Sequence, residues 1–239
     1  MDVNTFRLLE SKINLIKQDN KKIALIGPVK MPLDVHGKIY TFSWFTWINI
    51  ENDIESVKEL LDRIKSVPLA HQQHSSVLTY GEFSNAEDAN VRFHSICHTG
   101  DVFGSKRCDC GEQFKEAKSI ITEKGTGAIF YLADQEGRGI GLFNKAMAYL
   151  LQENGLDTVE ANLALGFEDD LRIYDEAAIV LKHLRKLPIS IITNNPDKRS
   201  QLESKGIKIK ERIPVWCSTN SYNERYLTTK INKSGHLVT

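Results

Sequence analysis

The sequence predicts an α/β protein of mixed α+β character, with a mixed sheet core and flanking helices. Three observations carry that expectation. In the second half, short runs of β-branched and apolar residues alternate with segments of helical period. Turn and start signals such as Gly125 and Pro196 separate those runs. In the first ninety residues strands and helices mix without a nucleotide-binding motif. The length, 239 residues, allows one large domain or two small ones. The expected division is an α/β region over 1–85 and a second region over 86–239, forming one compact unit.

Residues 4–18 place Phe6, Leu8, Leu9, Ile13, Leu15 and Ile16 at the spacing of an amphipathic helix. Residues 22–29 and 38–50 read as strands, broken by Pro32, Asp34 and Gly37. Residues 53–67 read as a helix with Val57, Leu60, Leu61 and Ile64 on one face. Strands are expected over 74–80 and 90–97. A helix follows over 110–124 and stops at Gly125, then a buried strand over 127–133. The loop 134–141 opens a helix over about 142–154. A further helix covers 175–184 and a buried strand 188–193. Asn194, Asn195 and Pro196 start the next helix, with proline at a first-turn position. The tail from Trp216 is polar, and its degree of order is left open. No internal repeat, low-complexity tract or linker is evident.

Lys+Arg and Asp+Glu both total 31, so no global charge excess points to nucleic acid or an anionic membrane surface. The first residues lack a basic-then-apolar signal pattern, and no apolar run has the length of a membrane span. Four cysteines do not make a disulfide framework in a chain of this length. A cytoplasmic protein with no nucleic-acid or membrane partner is expected.

Chemistry concentrates at four places. Cys97, Cys108 and Cys110 fall within fourteen residues. Three thiolates can hold a zinc ion and leave a fourth tetrahedral position for water, the layout of a catalytic site. A structural Cys₃His knot using His94 or His98, or three buried thiols without metal, remains open on spacing alone. Cys217 lies far off in the polar tail as a bystander. The loop holding Glu136, Gly137, Arg138, Gly139 and Gly141 joins a strand to a helix, where backbone N–H groups favour a phosphate and Arg138 adds a charged fork. It is neither a P-loop nor the dinucleotide fingerprint, and a plain βα turn explains it equally well. Asp170 and Arg172 could act as a base and a phosphate-directed cation, against a bland reading of Asp169 or Asp170 as helix caps. Thr193, Asn194, Asn195 and Lys198 sit at the carboxyl end of a strand, where open α/β sheets bind ligands, although capping explains much of that run.

Together these motifs resemble the GTP cyclohydrolase II family, whose enzymes open the imidazole ring of GTP at the start of riboflavin synthesis. The likeness runs from about residue 85 onward. It is densest over 92–113, 134–144, 157–172 and 193–214, with a tail of Asn223, Tyr226, Leu227, Thr229, Lys230, Gly235, His236 and Leu237. The resemblance implies zinc ligands at Cys97, Cys108 and Cys110. It implies GTP contacts at Arg92, His94, Ser95, Gln113, Glu136, Gly137, Arg138, Thr158, Thr193 and Lys198. It implies a general base at Asp170, a nucleophile at Arg172 and a tyrosine that completes hydrolysis at Tyr149. It further implies one Zn²⁺ per subunit, Mg²⁺ with the triphosphate and a homodimer. The chemistry suits these residue types: Glu136 could accept from the N1–H and 2-amino groups of guanine, and Arg138 and Lys198 would neutralise phosphate. Arginine is a poor nucleophile, because its pKa exceeds ~12, so electrostatic stabilisation by Arg172 is the simpler alternative. Ile96 stands where the family usually has Glu before its first zinc-binding cysteine. That change and the long first region point to a divergent paralogue as an alternative, acting on another nucleotide or base or stopping at a formamide stage. A non-enzymatic nucleotide-binding protein is the third reading.

Overall fold

Among the described residues, eight strands pair into one mixed sheet in the order β1-β2-β3-β4-β6-β5-β7-β8. The computed structural model describes residues 1–237. The antiparallel part consists of β1 (Ile13–Gln18), β2 (Lys21–Val35), β3 (Lys38–Asn49) and β4 (Ser76–Tyr80), with β4 antiparallel to β6 (Gly127–Leu132). The parallel part is β6, β5 (Asn90–Ser95), β7 (Ile189–Ile192) and β8 (Ile209–Ile213). The expected mixed sheet with flanking helices is the architecture found. No helix among the described residues is long and apolar enough to cross a membrane.

Two helices expected from sequence have the bounds found: α3 (Cys110–Lys124) and α6 (Asp175–Leu184). Gly125 stops α3 in a left-handed conformation, φ 86°, that a Cβ would disfavour. The helix expected over 4–18 is instead α1 (Val3–Glu10) followed by β1. Asp2 caps α1 by accepting from the Asn4 and Thr5 amides, and the second half of the segment gains a full antiparallel partner in β2. Such pairing is non-local and invisible to helical period. β2 likewise runs on through Pro32 and Asp34 to a turn at His36 and Gly37. Pro32 is tolerated because β1 pairs with β2 only as far as Ile26, leaving the outer part of β2 an edge. The helix expected over 53–67 shortens to α2 (Val57–Arg63), opened by a Ser56–Glu59 capping box and followed by a 3₁₀ turn. Between β6 and α6 the chain forms α4 (Leu142–Glu153) and α5 (Thr158–Ala164). α7 (Pro196–Ser204) starts at Asn195, whose side chain accepts from the Asp197 and Lys198 amides. α5, β8 and α8 (Glu224–Ser234) were not expected, and α8 shows that the polar tail contains ordered structure.

The connections of the parallel strands fix where a ligand can sit. α3 follows β5 and packs on the sheet face carrying Ile129 and Ile192. α6 and the end of α7 pack on the opposite face, against Val91, Phe93, Phe130 and Ile191. The chain leaves β5 toward β6 and leaves β7 toward β8, so a topological switch point falls between β5 and β7. The strand period of two then divides β5: Val91 and Phe93 enter the α6-side core, while Arg92 and His94 point to the α3 side.

Phe130 is fully buried and stacks on Phe93 with centroids 4.8 Å apart. Phe130→Ala is expected to destabilise the fold by about 3–5 kcal/mol through lost burial and a residual cavity, which urea unfolding of both proteins measures.

Candidate active site

A cleft opens at the carboxyl ends of β5, β6 and β7. Every residue expected to touch metal or nucleotide lines it, namely Arg92, His94, Ser95, Cys97, Cys108, Cys110, Gln113, Glu136, Gly137, Arg138, Thr158, Thr193 and Lys198, together with Tyr149 and Arg172. Asp170 stands behind the wall and reaches the cleft only through Arg172.

The three cysteine sulfurs lie within 4.8 Å of one another, and Cys97 and Cys108 are 3.6 Å apart. A tight turn over His98–Val102 and the N-terminus of α3 bring them together. Gly100 makes this possible. A Cβ there would stand 2.9 Å from the Cys108 sulfur and 3.1 Å from that of Cys97. The neighbouring thiols stabilise a Cys97 thiolate, whose pKa falls far below the ordinary thiol value. The bond with Cys110 lowers the Cys108 pKa, but Cys97 and burial outweigh it and leave Cys108 pushed up to about 11, and Cys110 also stands well above its ordinary value. One negative charge is therefore easy to place among the sulfurs and a second or third is not, which is the behaviour of a donor set that needs a cation. The donor set and spacing fit zinc. His94 does not complete a Cys₃His set, because its Nε2 lies 3.0 Å from Asp101 Oδ2, and among the described residues only the three cysteines cluster. His98 is outside that cluster, and so is Cys217.

Asp109, between Cys108 and Cys110, is 1 % exposed and accepts from Lys230 Nζ at 2.7 Å and Gln113 Nε2 at 2.6 Å. Burial opposes its charge, yet Lys230 carries its pKa below the usual carboxylate value. Gln113 in turn accepts from Arg92 at 2.5 Å, and Arg92 also donates to the Ile192 carbonyl. The tail helix α8 thus reaches the metal turn through Lys230 and brings Tyr226 to 4.0 Å from the Cys110 sulfur.

Glu136 and Arg138 occupy a single 3₁₀ turn after β6. Glu136 accepts from Lys145 Nζ at 2.5 Å, the His98 amide at 2.6 Å and the Gly137 amide at 3.2 Å. At 2 % exposure and with three donors in place, its carboxylate has little capacity left for a guanine edge. Arg138 pairs with Asp169 and donates to Ser234 Oγ at 2.9 Å. Arg172 is gripped by both oxygens of Asp170 and approaches Ser95 Oγ at 3.4 Å. Helix capping by Asp169 or Asp170 is not what these residues do: α6 begins after Tyr174, and both carboxylates bond arginines. Burial opposes the Arg172 charge, but Tyr174 and Asp170 raise its pKa above the ordinary arginine value. Lys198 donates to the Phe93 carbonyl at 2.7 Å. Its burial, with Arg172 and Arg92 nearby, depresses its pKa well below the usual lysine value. Tyr149 meets Thr99 Oγ1 at 3.3 Å and carries the Arg107 guanidinium 4.2 Å over its ring. Among the described residues, seven cationic side chains and one carboxylate, that of Glu136, line the cleft, a field suited to a polyanion.

The sequence profile described as GTP cyclohydrolase II matches residues 67–214. This chain belongs to the GTP cyclohydrolase II family. It is 40 % identical over 231 residues to the riboflavin biosynthesis protein RibBA of Bacillus velezensis, covering 97 % of this chain and 51 % of that protein. It is 49 % identical over 166 residues to RibBA of Phocaeicola vulgatus, covering 70 % of this chain and 41 % of that protein. It is 47 % identical over 167 residues to the GTP cyclohydrolase-2 of Colwellia psychrerythraea, covering 70 % of this chain and 82 % of that protein. The chain therefore spans about two fifths to a half of the RibBA relatives. The alignment with the Bacillus protein also takes in most of the first 85 residues, ahead of the point from which the motifs carry the likeness.

Sequence reasoning gave no site role to several residues that line or support this cleft: Gly100, Asp101, Arg107, Lys145, Asn162, Tyr226 and Lys230. For the lysines a signal existed. Lys145 shares the buried face of α4 with Ala148, and Lys230 shares that of α8 with Leu227, so each is a cation set in an apolar stripe.

Two outcomes follow from this geometry. Gly100→Ala is expected to spread the sulfurs and abolish stoichiometric zinc uptake while the fold persists, as metal content and circular dichroism report. His236 lines the cleft, and burial among Lys230, Arg138, Arg172 and Lys198 lowers its pKa to about 3. Below about 6.5 the unfolded chain takes up a proton that the folded chain refuses. Stability is thus lost as pH falls from about 6.5 toward 3. His236→Leu is expected to remove about 2 kcal/mol of the stability lost between about pH 7 and 5, measured by urea unfolding at both pH values.

Proposed function

We propose that the protein hydrolyses GTP, opening the imidazole ring with release of formate and pyrophosphate to give 2,5-diamino-6-(5-phosphoribosylamino)pyrimidin-4-one, the first step of riboflavin biosynthesis. The observation that carries this reading is the meeting of three thiols with a cation-lined wall in one cleft at the sheet's switch point. Cys97, Cys108 and Cys110 would hold one zinc ion per subunit, which supplies Lewis acidity and a water of lowered pKa. Mg²⁺ accompanies the triphosphate, and the working unit is a homodimer.

The protein's own groups divide the remaining work. Arg138, Arg172 and Lys198 receive phosphate oxygens, each already aimed by a tether to Asp169, Asp170 or the Phe93 carbonyl, so little reorganisation is needed as charge develops. Arg172 acts as a fixed cation beside the α-phosphate, since its raised pKa leaves it no free lone pair for attack. Asp170 holds that arginine in place. Its lowered pKa, set by Arg172 against burial, makes it a weak base. Thr193, Thr158, Ser95 and Gln113 supply neutral polar contacts, and Tyr149 stands beside the thiols to serve the later hydrolysis. Glu136 orders the turn that faces the base.

One observation favours a second reading. Ile96 lines the cleft next to Cys97, and Ile140 also lines it, so apolar surface stands where the family usually has a carboxylate. A paralogue that takes another nucleotide or stops at a formamidopyrimidine would fit that surface.

Zinc-loaded protein incubated with GTP and Mg²⁺ is expected to release formate and pyrophosphate in equal amounts. Cys108→Ser is expected to abolish formate release while the protein stays folded. Pyrophosphate without formate would select the truncated reaction, and neither product would select another substrate.

A further inference from the structure

Outside the proposed zinc ligands, the most unusual group near the sulfurs is Lys145. Its side chain is buried, and its Nζ lies 3.2 Å from the Cys97 sulfur and 2.5 Å from Glu136 Oε1. A third partner is the Tyr149 ring, whose centroid is 5.6 Å away. An ammonium group taken out of water is costly unless anionic partners replace its hydration. Here the partners are a carboxylate and a thiolate. Gly137 makes the arrangement fit: a Cβ at that position would stand 3.2 Å from Lys145 Cβ and 2.9 Å from Ile140 Cγ1. The other oxygen of Glu136 accepts from the amide of His98, the residue after Cys97. Lys145 and Glu136 therefore brace Cys97 from α4 and from the metal turn together.

We propose that Lys145 is a positioning residue for the metal centre, setting the donor strength of the Cys97 thiolate through an N–H···S bond whose direction Glu136 fixes. The inference rests on the metal reading given above. Three thiolates carry one more charge than a divalent cation, and the surplus electron density opposes ionisation of a water at the open position. A cation bonded to one sulfur draws that density back, as outer partners do at other metal sites. Lys145 does this at Cys97, the sulfur on the β5 side, while Cys108 and Cys110 have no lysine or arginine bonded to their sulfurs among the hydrogen bonds described.

The test uses full-length protein loaded with Co²⁺, whose sulfur-to-metal charge-transfer band reports thiolate donor energy. In Lys145→Met, which keeps the length of the side chain without charge or donor, the band is expected to move to longer wavelength, beyond the spread between replicate preparations. Cobalt stoichiometry stays the same. Lys145→Gln keeps an N–H donor without charge and is expected to move the band less, and it carries the test if circular dichroism shows that the Met variant does not fold. An unmoved band at equal stoichiometry would mean that Lys145 only supports Glu136, and the proposal would be wrong. A wild-type protein that takes up Co²⁺ with no sulfur charge-transfer band would instead overturn the metal reading and this proposal with it. The two failures are therefore distinct.

Discussion

One carboxylate oxygen shapes the turn on which the sulfur cluster stands. Asp101 Oδ2 accepts from the Cys97 amide at 3.0 Å, from Tyr131 Oη at 3.0 Å and from His94 Nε2 at 3.0 Å. These three donors come from just past β5, from near the end of β6 and from near the end of β5, so the acid clasps the two strands to the loop between them. Burial lowers the His94 pKa against the pull of Asp101, to which its Nε2 is bonded. The imidazole lies nearly parallel to the Tyr131 ring, at 13°, with centroids 5.6 Å apart. Once this clasp is closed, Cys97 has one direction in which to point. Gly100 then lets the other two sulfurs approach it.

A chain with no net charge nevertheless builds a strongly positive cleft, by a spatial arrangement of its acids. Asp109, Asp169 and Asp170 do not line the cleft but hold Lys230, Arg138 and Arg172 from behind. Glu153 does the same for Arg107 at the rim. Lys198 and Arg92 are held by main-chain carbonyls instead, and their pKa values fall through burial. Each cation is thus aimed while its counter-charge stays away from the ligand's path. The desolvation of these groups is a standing cost that a polyanion would offset.

How much of this was legible in the sequence depended on how local the determining interaction is. The three cysteines could be grouped because they fall close together along the chain. α3 and α6 could be bounded because their ends carry their own signals, a left-handed Gly125 in one case and an acidic first turn in the other. β1 was read as helix because Ile13, Leu15 and Ile16 suit either period until β2 is known to lie alongside. Arg92 and His94 were reached through resemblance, and strand alternation explains why they share a face. Gly100 and Asp101 carry no local mark, and the apolar stripes that hold Lys145 and Lys230 mark a buried cation without naming its partner. Their roles come from burial and from partners up to 121 residues away, as in the Lys230–Asp109 pair.

That last separation bears on how the protein is made. Chains emerge and fold from the N-terminal end. The sulfur cluster draws on residues 97–110, and the strands that clasp it are complete once β6 has been synthesised. The wall supplied by α8 comes more than a hundred residues later in the chain. A nascent chain can therefore assemble the cysteine cluster well before it has a closed cleft. The linear order of the polypeptide thus makes the sulfur cluster available before the cleft has its last wall.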